Sequence, residues 1–310
     1  MVSPQAKAIN ERLSAYRTTL VERGWVPTLE DLRKRSLSNA RLATEPTGIR
    51  TTEVTAGIAP ALLHEPEGGG SGWVYLHCHG GGLVTGTSAG WSRLLGHLAL
   101  RSGWPVLNLD YRLAPENPHP AGLEDAMAAF RWLEAQGYPA DQIVVGGDSA
   151  GSSLALGTVQ RLRDKGICGG GCVLLSPCVD FTLTNPSIKA RAEADISSTP
   201  EMLDLTRNLY VGDRDAFDPQ ISPGLAAMDG LPPLHIEVSQ QDILFDDATN
   251  LAERASKSGV DVDLKVWDEV PHVHQLYAGN MPEADESIGL VAEWLGSRKA
   301  AKEASRMSAP

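Results

Sequence analysis

The sequence predicts an α/β fold in which a mainly parallel sheet of eight strands carries helices on both faces. Apolar runs of strand length alternate with segments whose apolar residues recur every three or four positions. The connections between them are short, and the later runs are nearly continuous in apolar character, as strands buried on both faces require. Arg50–Thr55 and Ile58–His64 flank a turn at Ala56-Gly57 and read as an antiparallel pair. Pro60 has no N–H to give a ladder, so the second of these is expected at a sheet edge. The remaining strands are predicted at Trp73–Cys78, Trp104–Leu109, Gln142–Gly147, Cys172–Leu175, Leu234–Val238 and Asp263–Trp267. Helices are predicted over Trp91–Leu100, Gly122–Gln136, Ser152–Leu162 and Ala248–Ser258.

Two stretches break the rhythm and divide the chain. Residues 1–45 are polar and helical in pattern, with Leu13, Tyr16 and Leu20 on one stripe. Residues 181–225 interrupt the alternation after the sixth strand and contain the helix-like Pro200–Tyr210. An insertion over the carboxyl ends of a parallel sheet is expected to form a lid or cap around a site. The core is then 46–180 and 226–296, and the small, charged tail 297–310 is expected to fray.

Composition narrows the partners. With 27 Lys and Arg against 39 Asp and Glu, the net charge of −12 disfavours nucleic acid and anionic membrane as partners. Residues 1–25 lack the apolar core of a signal peptide, and no run reaches the roughly 20 apolar residues of a membrane span. Four cysteines do not make a disulfide framework. These features together predict a cytoplasmic protein.

Two motifs can carry chemistry. His79-Gly80-Gly81-Gly82 directly follows the strand Trp73–Cys78, and successive glycines expose backbone N–H groups suited to a developing oxyanion. G-x-S-x-G occurs at Gly86–Gly90 and again at Gly147–Gly151. A nucleophile elbow needs a strand before its serine and a helix after it. Ser149 has both, whereas Ser88 follows too short a segment and suits a helix N-cap. A serine needs a base, and the base an orienting acid, here in the chain order Ser, acid, His. Downstream, His235 lies within a predicted strand, while His272 and His274 follow the last one. Asp242, Asp246 and Asp247 follow the strand Leu234–Val238, the latter two suiting a helix N-terminus.

HGGG, Tyr111-Arg112-Leu113-Ala114-Pro115-Glu116, GDSAG, Asp242-x-Leu244-x-Asp246-Asp247 and Pro271-His272 occur in that order. From about residue 70 to 290 the chain thus resembles the hormone-sensitive-lipase-like carboxylesterases of the α/β-hydrolase fold. The resemblance implies Ser149 as nucleophile, Asp242 as acid and His272 as base. It implies an oxyanion hole from the N–H groups of Gly81, Gly82 and Ala150. It also implies a small helical cap built from the N-terminal segment and the insertion, and it allows a homodimer. Leu83 stands where members often have an aromatic, and Asp148 matches one of the two main family branches. Leu83, Asp148 and His274 are the expected substrate contacts, with His274 lining the pocket or packing beside it. Arg112 and Glu116 are expected to pair structurally behind the oxyanion loop.

The substrate expected is a short-chain acyl ester or compact lactone, because aromatic residues are few and no long apolar lid helix is visible. Amide hydrolysis and acyl transfer would use the same acyl-enzyme. A non-catalytic small-molecule receptor on the same scaffold is the alternative, and the presence of both Ser149 and His272 speaks against it. No cofactor and no metal are expected. His77 and His79 share a strand face without a third ligand, Cys168 and Cys172 are spaced C-x3-C, and nucleotide-binding motifs are absent. Hydrolysis should fall as His272 protonates, around the reference value of ~6.5.

Overall fold

The computed structural model describes residues 2–22 and 28–308, apart from the side chains of Leu20, Val21, Arg306 and Ser308. The stripe expected at Leu13, Tyr16 and Leu20 therefore falls partly outside the described residues. Strands β1 (Ile49–Ala56), β2 (Ala59–Pro66), β3 (Val74–Cys78), β4 (Val106–Leu109), β5 (Ile143–Asp148), β6 (Gly171–Leu175), β7 (Leu234–Ser239) and β8 (Val262–Trp267) form one sheet. Their order is β1-β2-β4-β3-β5-β6-β7-β8. The β1–β2 and β2–β4 pairs are antiparallel and the others parallel.

Successive side chains on a strand point to opposite faces, so each central strand feeds two apolar layers. Leu76, Val145 and Leu174 join the layer that contains Phe130 of α4 (Ala121–Ala135), Leu154 of α5 (Gly151–Arg163) and Leu251 of α8 (Phe245–Lys257). Their neighbours Tyr75, Val144 and Val173 join the other layer, with Leu95 of α3 (Ser88–Ser102) and Trp294 of α9 (Pro282–Ser308). This double burial explains why these strands read as unbroken apolar runs. Among the described residues, no helix is long and apolar enough to cross a membrane.

Three expectations are corrected. Strand β2 is interior, flanked by β1 and β4. Pro60 is tolerated because the β2–β4 ladder begins one residue later, at Ala61 opposite Leu109, and the Pro60 carbonyl still accepts the Asp110 N–H. The tail expected to fray is helical as far as Ser308, residues 309–310 lying outside the described part. Lys302 pairs with Asp141 and sits 5.8 Å from the Trp73 ring centre, which ties this end of α9 to the core. Finally, the N-cap of α3 is Thr87, whose side chain accepts the Gly90 N–H. Ser88 is the first helical residue instead, and its hydroxyl donates to Asp110.

The order reverses around β3, which lies between β4 and β5, and ligands in open α/β sheets bind at the carboxyl ends of strands beside such a reversal. The N-terminal segment supplies α1 (Pro4–Glu22) and α2 (Leu29–Ser36), and the insertion supplies α6 (Pro186–Ala190) and α7 (Pro200–Val211). Leu13, Leu32, Met202 and Leu203 from three of these helices line one cavity together with residues at the β3 and β5 ends.

Candidate active site

Strand β5 ends at Asp148 and α5 begins at Gly151, so the chain reverses within two residues. Ser149 takes φ +50°, a left-handed conformation that costs a non-glycine residue on the order of 1–3 kcal/mol. The surroundings over-determine it. Its N–H donates to the Leu175 carbonyl at 2.8 Å, and its carbonyl accepts the Cys178 N–H at 3.0 Å. The flanking glycines answer to close approach. A Cβ on Gly147 would lie 2.5 Å from the Gly151 backbone, and one on Gly151 would lie 2.1 Å from the Cys78 carbonyl oxygen.

Asp242 follows β7 by three residues and is buried. Its Oδ1 accepts the Leu244 N–H at 2.9 Å, and its Oδ2 lies 2.7 Å from His272 Nδ1. An ionised carboxylate only accepts, so Nδ1 carries the proton and Nε2 is the free basic nitrogen of the neutral ring. Burial opposes charge on His272, but the Asp242 carboxylate outweighs it, with Asp195 and Asp148 adding to the effect, and the imidazole is pushed up to about 9. Val273 follows at φ +50°, its N–H held by Ser176 Oγ.

The glycine loop after β3 is anchored from below. Asp148 Oδ1 accepts the Gly80 N–H at 3.0 Å and lies 2.9 Å from His77 Nε2. The Tyr111 hydroxyl donates to the His79 carbonyl, and the His79 ring stacks on Tyr111 with centroids 4.4 Å apart. From the other side, Arg33 of α2 donates to the carbonyls of Val84 and Ala114 while pairing with Glu116. Among the described residues, the N–H groups of Gly81, Gly82 and Ala150 donate to no protein acceptor, which leaves them available to a ligand.

Ser149, His272, Asp148, Gly81, Gly82 and Ala150 share a cavity of about 210 Å³. Its remaining wall is mostly apolar and comes from the helices above, among them Leu13, Leu32, Met202 and Leu203, with Phe181 and Leu276. Thr206 of α7 presses on the glycine loop so closely that a Cβ on Gly82 would fall 2.6 Å from its side chain.

Two expected substrate contacts lie elsewhere. Leu83 takes φ +62° and is buried in the main apolar layer, because its carbonyl is held by the Ala114 N–H and the turn carries the side chain inward. His274 is also buried, edge-on to Trp267 with centroids 4.9 Å apart, and burial pushes it down to about 4. Asp148 does line the cavity, although both bonds described above belong to its Oδ1. Arg112 and Glu116 pair with different partners, Asp125 and Arg33 respectively. Asp246 and Asp247 sit in the first turn of α8: Asp246 accepts the Ser187 N–H of the insertion, and Asp247 accepts the N–H groups of Val179 and Asp180 just before the insertion and the Asn185 amide within it. His235 bridges Glu237 and Asp263 within the sheet.

The sequence offered no sign of several residues that shape this region. Asp195, Thr206 and Arg33 lie in stretches without a motif, and each acts by reaching an element distant in the chain.

A family model described as an alpha/beta hydrolase fold matches residues 75–276. The chain is 35% identical over 225 residues to an acetyl-hydrolase of Streptomyces hygroscopicus, across 72% of this chain and 75% of that one. It is 29% identical over 276 residues to an esterase of Acinetobacter venetianus, across 87% and 88%. Among solved structures, the esterase EstE5 superposes with a TM-score of 0.89 at 34% identity, covering 96% of this chain and 99% of its own. A further esterase, from the bacterial hormone-sensitive lipase family, gives 0.89 at 36% identity with the same coverage.

Proposed function

The chain belongs to the hormone-sensitive-lipase-like esterases of the α/β-hydrolase fold, and from that premise we propose that it hydrolyses short-chain carboxylic esters or compact lactones through an acyl-enzyme on Ser149. The observation that carries this reading is one cavity bounded by the Ser149 elbow, the His272 ring bound to Asp242, and three N–H groups without protein acceptors. In the proposed cycle His272 Nε2 takes the proton of Ser149 Oγ as that oxygen attacks the acyl carbon. Gly81, Gly82 and Ala150 donate to the oxyanion that forms, and losing one such donor typically costs ~3–4 kcal/mol of transition-state stabilisation. His272 then protonates the departing alcohol, after which water repeats the sequence on the acyl-enzyme. Asp242 fixes the tautomer and stabilises the imidazolium without taking its proton.

The preference for small acyl groups is supported by the cavity's size and by Thr206 lying against the Gly82 end of it. Turnover of p-nitrophenyl acetate, butyrate and decanoate by wild type, Ser149→Ala and Ser88→Ala tests the proposal. Short esters should be hydrolysed fastest, and Ser149→Ala should lose activity by a factor on the order of 10⁴ or more. Ser88→Ala should keep activity in its folded fraction. A maximum at the decanoate, or activity retained by Ser149→Ala, would refute it.

A further inference from the structure

Asp195 lies in the insertion between α6 and α7 and is 2% exposed. Its Oδ1 accepts the N–H groups of Ser197 at 2.8 Å and Ser198 at 2.9 Å, closing a local turn. Its Oδ2 reaches out of that loop and accepts the N–H of Ile243 at 3.0 Å, the residue directly after Asp242. Arg17 of α1 donates to the carbonyls of Ala192 and Asp195 and holds the same loop from outside. A buried carboxylate is costly to keep, and a neutral side chain could have closed the turn. This one is anchored to the peptide adjoining the Asp242–His272 pair.

The charges around the pair define what that carboxylate does. Asp242 and Asp195 face His272 from the acid loop and the insertion, and Asp148 faces it from the end of β5. Arg35 of α2 and Arg207 of α7 line the same cavity. Asp195 itself faces Asp242 and His272, and burial, reinforced by the Asp242 charge, raises its carboxyl.

We propose that Asp195 is a positioning residue for hydrolysis: it holds the Asp242 loop through Ile243, and its charge stabilises the protonated form of His272, so the cap insertion helps set the acid limit of activity. This rests on the assignment of Asp242 and His272 as acid and base. The base must be neutral to work, so removing a nearby negative charge lowers its pKa and extends activity to lower pH.

The test is the pH profile of kcat/KM for p-nitrophenyl acetate with the full-length wild type, Asp195→Asn and Asp195→Glu, each normalised by active-site titration with a serine-reactive phosphonate. Asp195→Asn should move the acid limb down by about one pH unit, since a charge of this kind typically shifts a neighbour by that order. Asp195→Glu keeps the charge but displaces the carboxylate, so it should hold the wild-type limb with a lower plateau. An unmoved limb in Asp195→Asn, whatever the loss at the plateau or in Tm, would show a merely structural role and overturn the proposal. So would a Glu variant whose limb moves as far as that of Asn. Hydrolysis surviving in Ser149→Ala, or phosphonate labelling away from Ser149, would remove the underlying assignment, a result separate from an unmoved limb in an enzyme labelled at Ser149.

Discussion

His272 is the residue whose surroundings most change what to expect of this chain. A free imidazole titrates near ~6.5, and on that basis activity would fade below neutrality. Pairing with buried Asp242 pushes the ring up to about 9. The acid limb of kcat/KM should therefore lie well above 6.5, with activity still rising through mildly alkaline pH. Stability should run the other way. A folded-state pKa above the unfolded one contributes stability that is complete below ~6.5 and fades as pH rises through about 9. Tm and kcat/KM followed on the same samples should diverge across that window, and a limb centred at ~6.5 would contradict the upward shift, showing that burial cancels the Asp242 carboxylate. The neighbouring histidine gives a contrast. His272→Ala should remove nearly all hydrolysis, whereas His274→Ala, which empties a buried site against Trp267, should lower Tm while folded protein keeps much of its activity. At this scale the sequence was informative where a motif imposes backbone geometry, as at Gly147, Ser149 and Gly151. It misleads where a side chain's role depends on which way a left-handed turn sends it, as at Leu83, expected in the pocket wall and found in the apolar layer.

Among the elements, α2 and α7 have the clearest consequences for substrate. Thr206 of α7 meets the glycine loop at Gly82, so Thr206→Trp should crowd that end of the cavity. We expect it to suppress butyrate turnover at least tenfold more than acetate turnover, about the discrimination that 1–3 kcal/mol of steric fit provides. A uniform loss on both esters would place Thr206 away from the acyl group. Arg33 of α2 ties the Val84 carbonyl, in the loop that follows the glycines, to the Ala114 carbonyl in the loop after β4, so Arg33→Gln should lower kcat more than it raises KM. Its partner Glu116 is largely exposed, so solvent screens the pair and Glu116→Gln should leave Tm nearly unchanged. Periodicity revealed that helices exist in both irregular stretches. It could not show their docking, because a contact such as Arg33 to Val84 spans elements that only the tertiary fold brings together.

For the molecule as a whole, the sheet was the most legible part. Strands buried on both faces leave continuous apolar runs, and those runs survive in the sequence whatever lies between them. The errors arose where a local rule met a tertiary exception. Pro60 escapes the edge because a neighbouring ladder starts after it, and the tail is helical where Lys302 finds Asp141 and Trp73. Truncation after residue 296 should accordingly lower Tm by a few degrees while leaving kcat/KM for short esters near wild type. A loss of activity in the folded truncated protein would show that the end of α9 reaches the site.

The insertion is bonded to the acid loop at several points: Ser187 Oγ to the Ile243 carbonyl, Asp195 to the Ile243 N–H, Arg191 to the Gln240 carbonyl, and Asn185 to Asp247. Raising it would strip both peptide groups of Ile243, next to Asp242, of their partners. With Asp242 as the proposed acid, such an opening would interrupt chemistry as well as admit a ligand, so any interval with the insertion lifted would be dead time for catalysis. The exchange rate of the Ile243 amide proton would then serve as the clock for that interval.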